Sequence, residues 1–281
     1  MSINSGFPYI GVGLSYKYHY IGKIANNLKY IDCFEVKPEH YFYDTKNSVE
    51  ELHILAEKLP LIAHGLFLSV GSIEGLAKSH ISNLNKFFHF APKIAWVGEH
   101  LGCTRAGGIK IPHFINIPYS GEMLNIIIRN IKVLQKQIST PMIFENIPLE
   151  FLYPESEISE PEFLKQLTKN TGCGLLFDAT NMYANCHNFG WNFDDYLNQY
   201  PIENIVQVHF NGGKLTADGR YLDSHSEPTP DIVWDILKEV LKRGAPVKAM
   251  ILERDDEVDL NTLAGELDKA KKLIKKYSKW Q

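Results

Sequence analysis

The chain has 281 residues, 44% of them hydrophobic and 22% charged, with a formal net charge of −4. This is the composition of a soluble globular protein with a sizeable core, long enough for two ordinary domains or one barrel. The mild negative charge gives no global support for a nucleic-acid groove or an anionic membrane surface.

No apolar run approaches the roughly 18 residues of a membrane helix. The N-terminus, MSINSGFPYIG, lacks the basic region and apolar stretch of a signal peptide, so a cytoplasmic location is expected. The four cysteines, Cys33, Cys103, Cys173 and Cys186, form no CxxC pair and are expected to be reduced. Cys33 and Cys173 read as core residues, Cys103 and Cys186 as loop residues. The cationic run Lys269–Lys279 is read as the solvated face of a last helix, because Leu267, Ile274 and Tyr277 recur at helical spacing.

Taken in chain order, eight short β-prone runs alternate with helical patterns. Tyr9–Leu14 precedes a weak helix over Ile21–Lys29. Tyr30–Val36 leads to a helix over Asn47–Leu59, with Val49, Leu52, Leu55 and Leu59 on one face. Leu61–Gly65 leads to Glu74–Phe90, and Lys93–His100 to Gly121–Ile138. The last is the clearest helix, with Leu124, Ile127, Ile128, Ile131 and Leu134 at a 3.6-residue period. Met142–Asn146 precedes Glu160–Asn170, which Gly172 should stop. Gly174–Asp178, Asn204–Phe210 and Val247–Glu253 precede helices over Asp194–Tyr200, Asp231–Arg243 and Asp259–Tyr277.

The β-prone runs are almost continuously apolar, as in strands buried on both faces. Eight strand–helix units in this length predict a (β/α)8 TIM-type barrel forming a single domain over residues 1–281. An open doubly wound sheet is the runner-up. Its phosphate-binding glycine loop is missing, since neither Gly107-Gly108 nor Gly212-Gly213 has GxGxxG spacing. Three long strand-to-helix connections, Cys103–Ser120, Ile147–Ser159 and Asn211–Thr229, fall on the face where a barrel builds its active site.

The strand ends carry the chemistry. Glu35, His64, Glu99-His100, Glu145-Asn146, Asp178, His209 and Glu253 end seven of the eight runs, and Asp223 and His225 follow in the loop after the seventh. In a barrel these ends share one mouth, so His64, His100, Glu145, Asp178, His209 and Glu253 should converge. Several half-buried carboxylates cost several kcal/mol each unless they are paired. The nearest basic residues are only Lys37, Arg105 and Arg254. Bound cations solve this, and imidazole with carboxylate suits iron, zinc or manganese. The donors outnumber those of one ion, which predicts a two- or three-metal cluster with a bridging carboxylate such as Glu145.

Each residue alone has a blander reading. A single histidine is more often a hydrogen-bonded structural residue, and Asp178 or Asp223 could be a helix cap. His19, His53, His80, His89 and His113 lie away from the strand ends and are read as surface or core residues. His187 is open between metal ligand, support for a ligand and substrate contact.

The segments GVGLSYK, FEVKPEHYF, IAHGLFLSVGS, GEHLG, FENI, LLFDATNMYANCHNFG, VHFNGG, DSHSEPTPDIVW and LERD occur in this order along nearly the whole chain. In these motifs the sequence resembles the multinuclear non-heme iron-dependent oxidative enzymes, relatives of the methanobactin-biosynthesis iron enzyme. The resemblance implies a xylose-isomerase-like barrel with two or three irons, including a mixed-valent pair. It implies one iron on His64, His100 and Glu145, a second on Glu145, Asp178, His209 and Glu253, and a third metal on Asn181, Asp223 and His225. It implies an O2-dependent oxidation of a precursor peptide, often at cysteine, with a separate partner protein that captures the leader peptide.

Two positions depart from the pattern: His40 stands where asparagine is expected, and Arg254 where an apolar or acidic residue is common. Asp255 is then the candidate base beside the last ligand, while Arg254, His40 and Arg105 are candidates for substrate contact. Asn146 and Glu35 are candidates for supporting the ligands. Two other functions stay open at this level. One is a zinc or manganese hydrolase or isomerase on the same barrel, using a metal-activated water. The other is a non-catalytic metal- or peptide-binding protein.

Overall fold

Eight of the apolar runs are the staves of a closed parallel barrel. The computed structural model describes residues 6–17, 28–43, 46–91, 93–256, 258 and 260–278. In chain order the first half comprises β1 (Gly11–Ser15), β2 (Cys33–Val36), α1 (Lys46–Lys58), β3 (Leu61–Gly65), α2 (Lys78–Phe90), β4 (Ile94–His100), β5 (Cys103–Ala106), β6 (Ile109–Ile115) and α3 (Gly121–Gln135). The second comprises β7 (Met142–Glu145), α4 (Glu160–Thr171), β8 (Gly174–Asp178), α5 (Ala179–Phe189), α6 (Phe193–Gln199), β9 (Ile205–Phe210), β10 (Gly212–Leu215), β11 (Tyr221–Glu227), α7 (Asp231–Lys242), β12 (Ala249–Leu252) and α8 (Leu260–Tyr277). The barrel runs β1-β12-β9-β8-β7-β4-β3-β2 and closes through the β1–β2 pair.

The period of two along each strand divides the barrel into layers. Cys33, Ile62, Trp96, Ile143, Leu176, Ala249 and Ile251 pack together as an apolar floor inside the barrel. Two residues on, the same inward face carries Glu35, His64, Glu145, Asp178 and Glu253, with His100 two residues past Gly98 on β4. The alternate residues Phe34, Ala63, Val97, Phe144, Phe177, Val208 and Met250 face outward and join the core shared with the helices. An inward polar layer over an apolar plug therefore follows from register alone.

The helix ends follow local chemistry. Ser120 and Ser159 cap α3 and α4 by accepting from Met123 N and Glu162 N, and α4 stops at Gly172, whose φ is 68°.

Several expectations are corrected. The stretch after Asp178, expected as a loop, is helix α5, because Asp178 caps it and Gly190 ends it. Cys186 is therefore buried in α5, while Cys103 lies half-buried on β5. Two of the long connections contain antiparallel ribbons, β5–β6 and β10–β11. The helix expected from Glu74 begins at Lys78. The expected helix Ile21–Lys29 lies outside the described residues except at its end, where residues 28–30 form a 3-10 turn. His19 is also outside them.

Candidate metal centre

Glu145, on the last residue of β7, organises the mouth. Its Oε2 lies 3.1 Å from His64 Nε2 and 3.5 Å from His100 Nε2. Its Oε1 lies 3.9 Å from His209 Nδ1 and accepts from Asn181 Nδ2 at 3.3 Å. The carboxylate thus divides its two oxygens between two donor groups, His64–His100–Glu145 and Glu145–Asp178–His209, each with donor atoms within 4.8 Å of one another. Glu253 extends the second group, with Oε2 3.2 Å from His209 Nδ1. All of these side chains are buried.

Surrounding groups set which atom each ligand presents. His100 Nδ1 sits 3.1 Å from the Gly65 carbonyl, which can only accept, so Nδ1 carries the proton and Nε2 faces Glu145. On the other side His209 Nε2 lies 3.0 Å from Glu35 Oε2, which leaves Nδ1 turned to the cluster without a hydrogen-bond partner. Glu35 also accepts from Gln207 Nε2, and Gln207 Oε1 accepts from Trp96 Nε1 at 2.7 Å. This buried chain fixes the His209 ring from below. Asn146 clamps the end of β8, accepting from Asp178 N at 2.9 Å and donating to Asp178 O at 3.0 Å. Asp178 is a helix cap that keeps one oxygen over. Its Oδ1 caps α5 at Asn181 N, 2.6 Å away, and its buried Oδ2 has no partner.

Gly98 makes room for this arrangement. A Cβ there would stand 2.7 Å from His64 Nδ1 and 3.1 Å from Leu176 Cδ1. Phe114 stacks on the His100 ring at 4.5 Å and covers its outer face.

The donors fit a cation better than they fit each other. Glu145 Oε2, Asp178 Oδ2, Asn181 Oδ1, His209 Nδ1 and Asp223 Oδ1 are all buried without a hydrogen-bond partner. Burial, then the charges of Asp223, Glu145 and Glu253, push the Asp178 carboxyl well above its ordinary range. His100 is pushed up to about 9, because Glu145 and Glu99 outweigh the burial that opposes its charge. His209 is likewise raised against its burial by Glu253 and Glu35. Paired anions of this kind are costly to bury without neutralisation, and the donor set is one that could hold divalent ions.

The remaining candidates are distributed as follows. Asp223 Oδ2 lies 2.9 Å from His225 Nε2, and that nitrogen is 3.7 Å from Glu253 Oε2. His225 holds a left-handed backbone, φ 51°, which turns its ring toward Glu253 and Asp255. Asp255 is paired with His225 Nδ1 at 3.1 Å and with Lys17. Against partial burial these two partners hold its carboxyl well below the usual range. Arg254 is buried, its side chain only 5% exposed, and its guanidinium is already engaged by Asp256 at 2.9 and 2.7 Å and by Glu266 at 3.3 Å. Arg105 is also engaged, donating to the Gly75 carbonyl and lying 3.4 Å from Glu74. His187 contacts the Gly219 carbonyl at 2.9 Å and ties α5 to the β10–β11 turn rather than reaching the cluster. His40 is exposed on the 3-10 turn Pro38–Tyr41.

Sequence reading missed Gln207, Trp96 and Gly98 as supports. The signal was present for Gln207, which precedes His209 by two residues and therefore shares its face. It also missed that His80 meets Glu39 and Glu99.

Fold and mouth together define a (β/α)8 barrel with a buried histidine–carboxylate centre able to hold metal ions. Residues 11–275 match the family described as RiPP precursor modification enzyme MbnB/TglH/ChrH, where RiPP denotes a ribosomally synthesised and post-translationally modified peptide, and the chain belongs to that family. A UPF0276 protein of Caulobacter vibrioides is 30% identical over 268 residues, covering 94% of both chains. Among solved structures, D-psicose 3-epimerase from Clostridium cellulolyticum H10 superimposes with a TM-score of 0.56 at 12% identity, over 95% of this chain and 98% of that one. A xylose isomerase domain-containing protein of Salmonella typhimurium gives 0.54 at 13% identity, over 92% and 89%. These likenesses identify the barrel as xylose-isomerase-like.

Proposed function

We propose that the protein is a multinuclear non-heme iron oxidase that uses dioxygen to modify a cysteine of a ribosomally synthesised precursor peptide. The observation that carries this reading is the division of Glu145, whose two oxygens face separate donor groups. That is the arrangement of a carboxylate bridging two ions. Bound iron supplies the electron transfer between dioxygen and the substrate sulfur and carbon.

The grouping of the donor atoms supports the ligand assignment. His64, His100 and Glu145 would hold one ion, and Glu145, Asp178, His209 and Glu253 would hold a second. Asn181, Asp223 and His225 are assigned to a third, supported by the partnerless buried oxygens Asn181 Oδ1 and Asp223 Oδ1. The protein's own contribution is to fix donors and exclude water. Gly65 and Glu35 set the tautomers of His100 and His209, Asn146 and the α5 cap aim Asp178, and Phe114 shields His100. A separate leader-binding partner and a cytoplasmic location belong to the same reading, the latter in keeping with four free cysteines.

The test is anaerobic purification, iron counting, and the mass change of a co-expressed cysteine-containing precursor under oxygen. Iron below about one per chain after careful loading would sink the proposal. The second reading is a zinc- or manganese-dependent isomerase or hydrolase, prompted by the epimerase fold. Turnover without oxygen would favour it.

A further inference from the structure

A second cluster of metal-ligating side chains lies outside the mouth. Successive residues of a strand point to opposite sides, so Glu99 faces away from the barrel interior that His100 faces. There it meets Glu39, from the 3-10 turn after β2, and His80, from α2. One donor atom from each of the three lies within 4.8 Å of the others. His80 Nε2 is 3.6 Å from Glu39 Oε1, and the edge of its ring is set by Phe42, 5.0 Å away between centroids.

Part of each carboxylate is already committed. Glu39 Oε1 accepts from Leu66 N at 2.9 Å and Phe67 N at 3.2 Å, and Glu99 Oε2 accepts from Leu68 N at 3.1 Å. Glu99 Oε1 accepts from His100 N at 3.0 Å. What remains is unmet: Glu39 Oε2 and His80 Nε2 are both buried with no hydrogen-bond partner. Among the described residues, no lysine or arginine forms an ion pair with Glu39 or Glu99. Burial and the neighbouring Glu99 push the Glu39 carboxyl up to about 7, in keeping with two anions forced together.

We propose that Glu39, His80 and Glu99 form a separate site for a divalent first-row cation, on the outer side of the barrel wall behind His100. One imidazole and two carboxylates are a donor set that zinc, manganese and ferrous iron accept. Zinc at about 2.1 Å from tetrahedral donors requires them roughly 3.4 Å apart, so the His80–Glu39 contact at 3.6 Å is close to fitting, and Glu99 offers a donor atom within 4.8 Å of both. The ion neutralises the carboxylate pair and satisfies the orphaned atoms. Its three ligands tie together the turn after β2, helix α2 and the end of β4, and Glu39 and Glu99 also hold the loop 66–68 that follows His64 and Gly65. The site is therefore a brace for the rim of the mouth. It stands whether or not the mouth cluster performs the oxidation proposed above.

The test is anomalous diffraction from crystals of the metal-loaded protein soaked in Zn2+, together with zinc counts in solution. The expected result is a peak among Glu39, His80 and Glu99, separate from any at the mouth. His80→Ala and Glu39→Gln should each abolish that peak, lower the zinc count by one per chain and leave the mouth peaks in place. Wild-type crystals with no peak there at saturating zinc overturn the proposal, whatever the variants do. An unchanged zinc count in His80→Ala overturns it equally.

Discussion

Gly98→Ala tests whether the mouth is built around a fixed His64. The added Cβ would lie 2.7 Å from His64 Nδ1, about 0.7 Å short of the nearest ordinary van der Waals contact. Neither neighbour has room to give. The His64 ring is flanked by His100 and His209, with centroids at 4.6 and 5.1 Å, and Leu176 belongs to the packed barrel floor. Overpacking of this kind costs about 1–3 kcal/mol, which for a chain of this size lowers Tm by roughly 2–12 °C. Metal binding suffers separately, because ligand positions must hold to about 0.2 Å and His64 would move by more. The assay pairs calorimetry in chelator with metal counting after anaerobic loading. Gly265→Ala is the control, since a Cβ there meets nothing within 4 Å and Gly265 lies within α8. It should hold or gain about 0.5–1 kcal/mol. A Gly98→Ala protein with the parental metal count and a Tm within about 1 °C of the parent would refute the reasoning.

Glu145→Gln leaves a single acceptor oxygen for two donor groups. It should lose at least one ion per chain and on the order of 100-fold or more in activity, measured by metal counting and turnover. Glu35→Gln removes the anion that fixes His209 Nε2 while keeping the volume. Metal affinity should fall about 10–100-fold in calorimetric titration, with an unchanged circular dichroism spectrum. Metal uptake should release protons, because His100, at about 9, is protonated below that pH in the metal-free protein. Affinity should therefore rise between pH 7 and 9 by about tenfold per pH unit for each proton displaced, and a flat profile would count against His100 as a ligand. Thiol labelling of the native protein at pH 8 should modify Cys103 alone. Cys33, Cys173 and Cys186 are buried, and burial first of all pushes the last two up to about 11.

Much of the fold was legible because it rests on local rules. The eight apolar runs, their helical partners and the stop at Gly172 are short-range patterns, and a barrel is the economical way to bury eight such strands. The period of two then places His64, Glu145, Asp178 and Glu253 on one inward layer without any tertiary information. The sequence could not say that residues 179–189 continue as a helix, since their polar face, Asn181 and Asn185, makes sense only against Glu145, Asn146, Ile147 and Leu149.

Other decisions belong to residues distant in the chain. Glu35 was expected to support a ligand, but which one was not legible. Only the approach of β9, more than 170 residues later, makes His209 its partner. Arg254 and Arg105 looked available to a substrate until Asp256, Glu266 and the Gly75 carbonyl claimed them. Residue types and strand register determined that carboxylates and imidazoles would meet at one mouth. Which oxygen faces which nitrogen, and that Glu39, His80 and Glu99 meet behind the wall, was decided by packing alone, because hydrogen-bond partners are chosen by three-dimensional proximity.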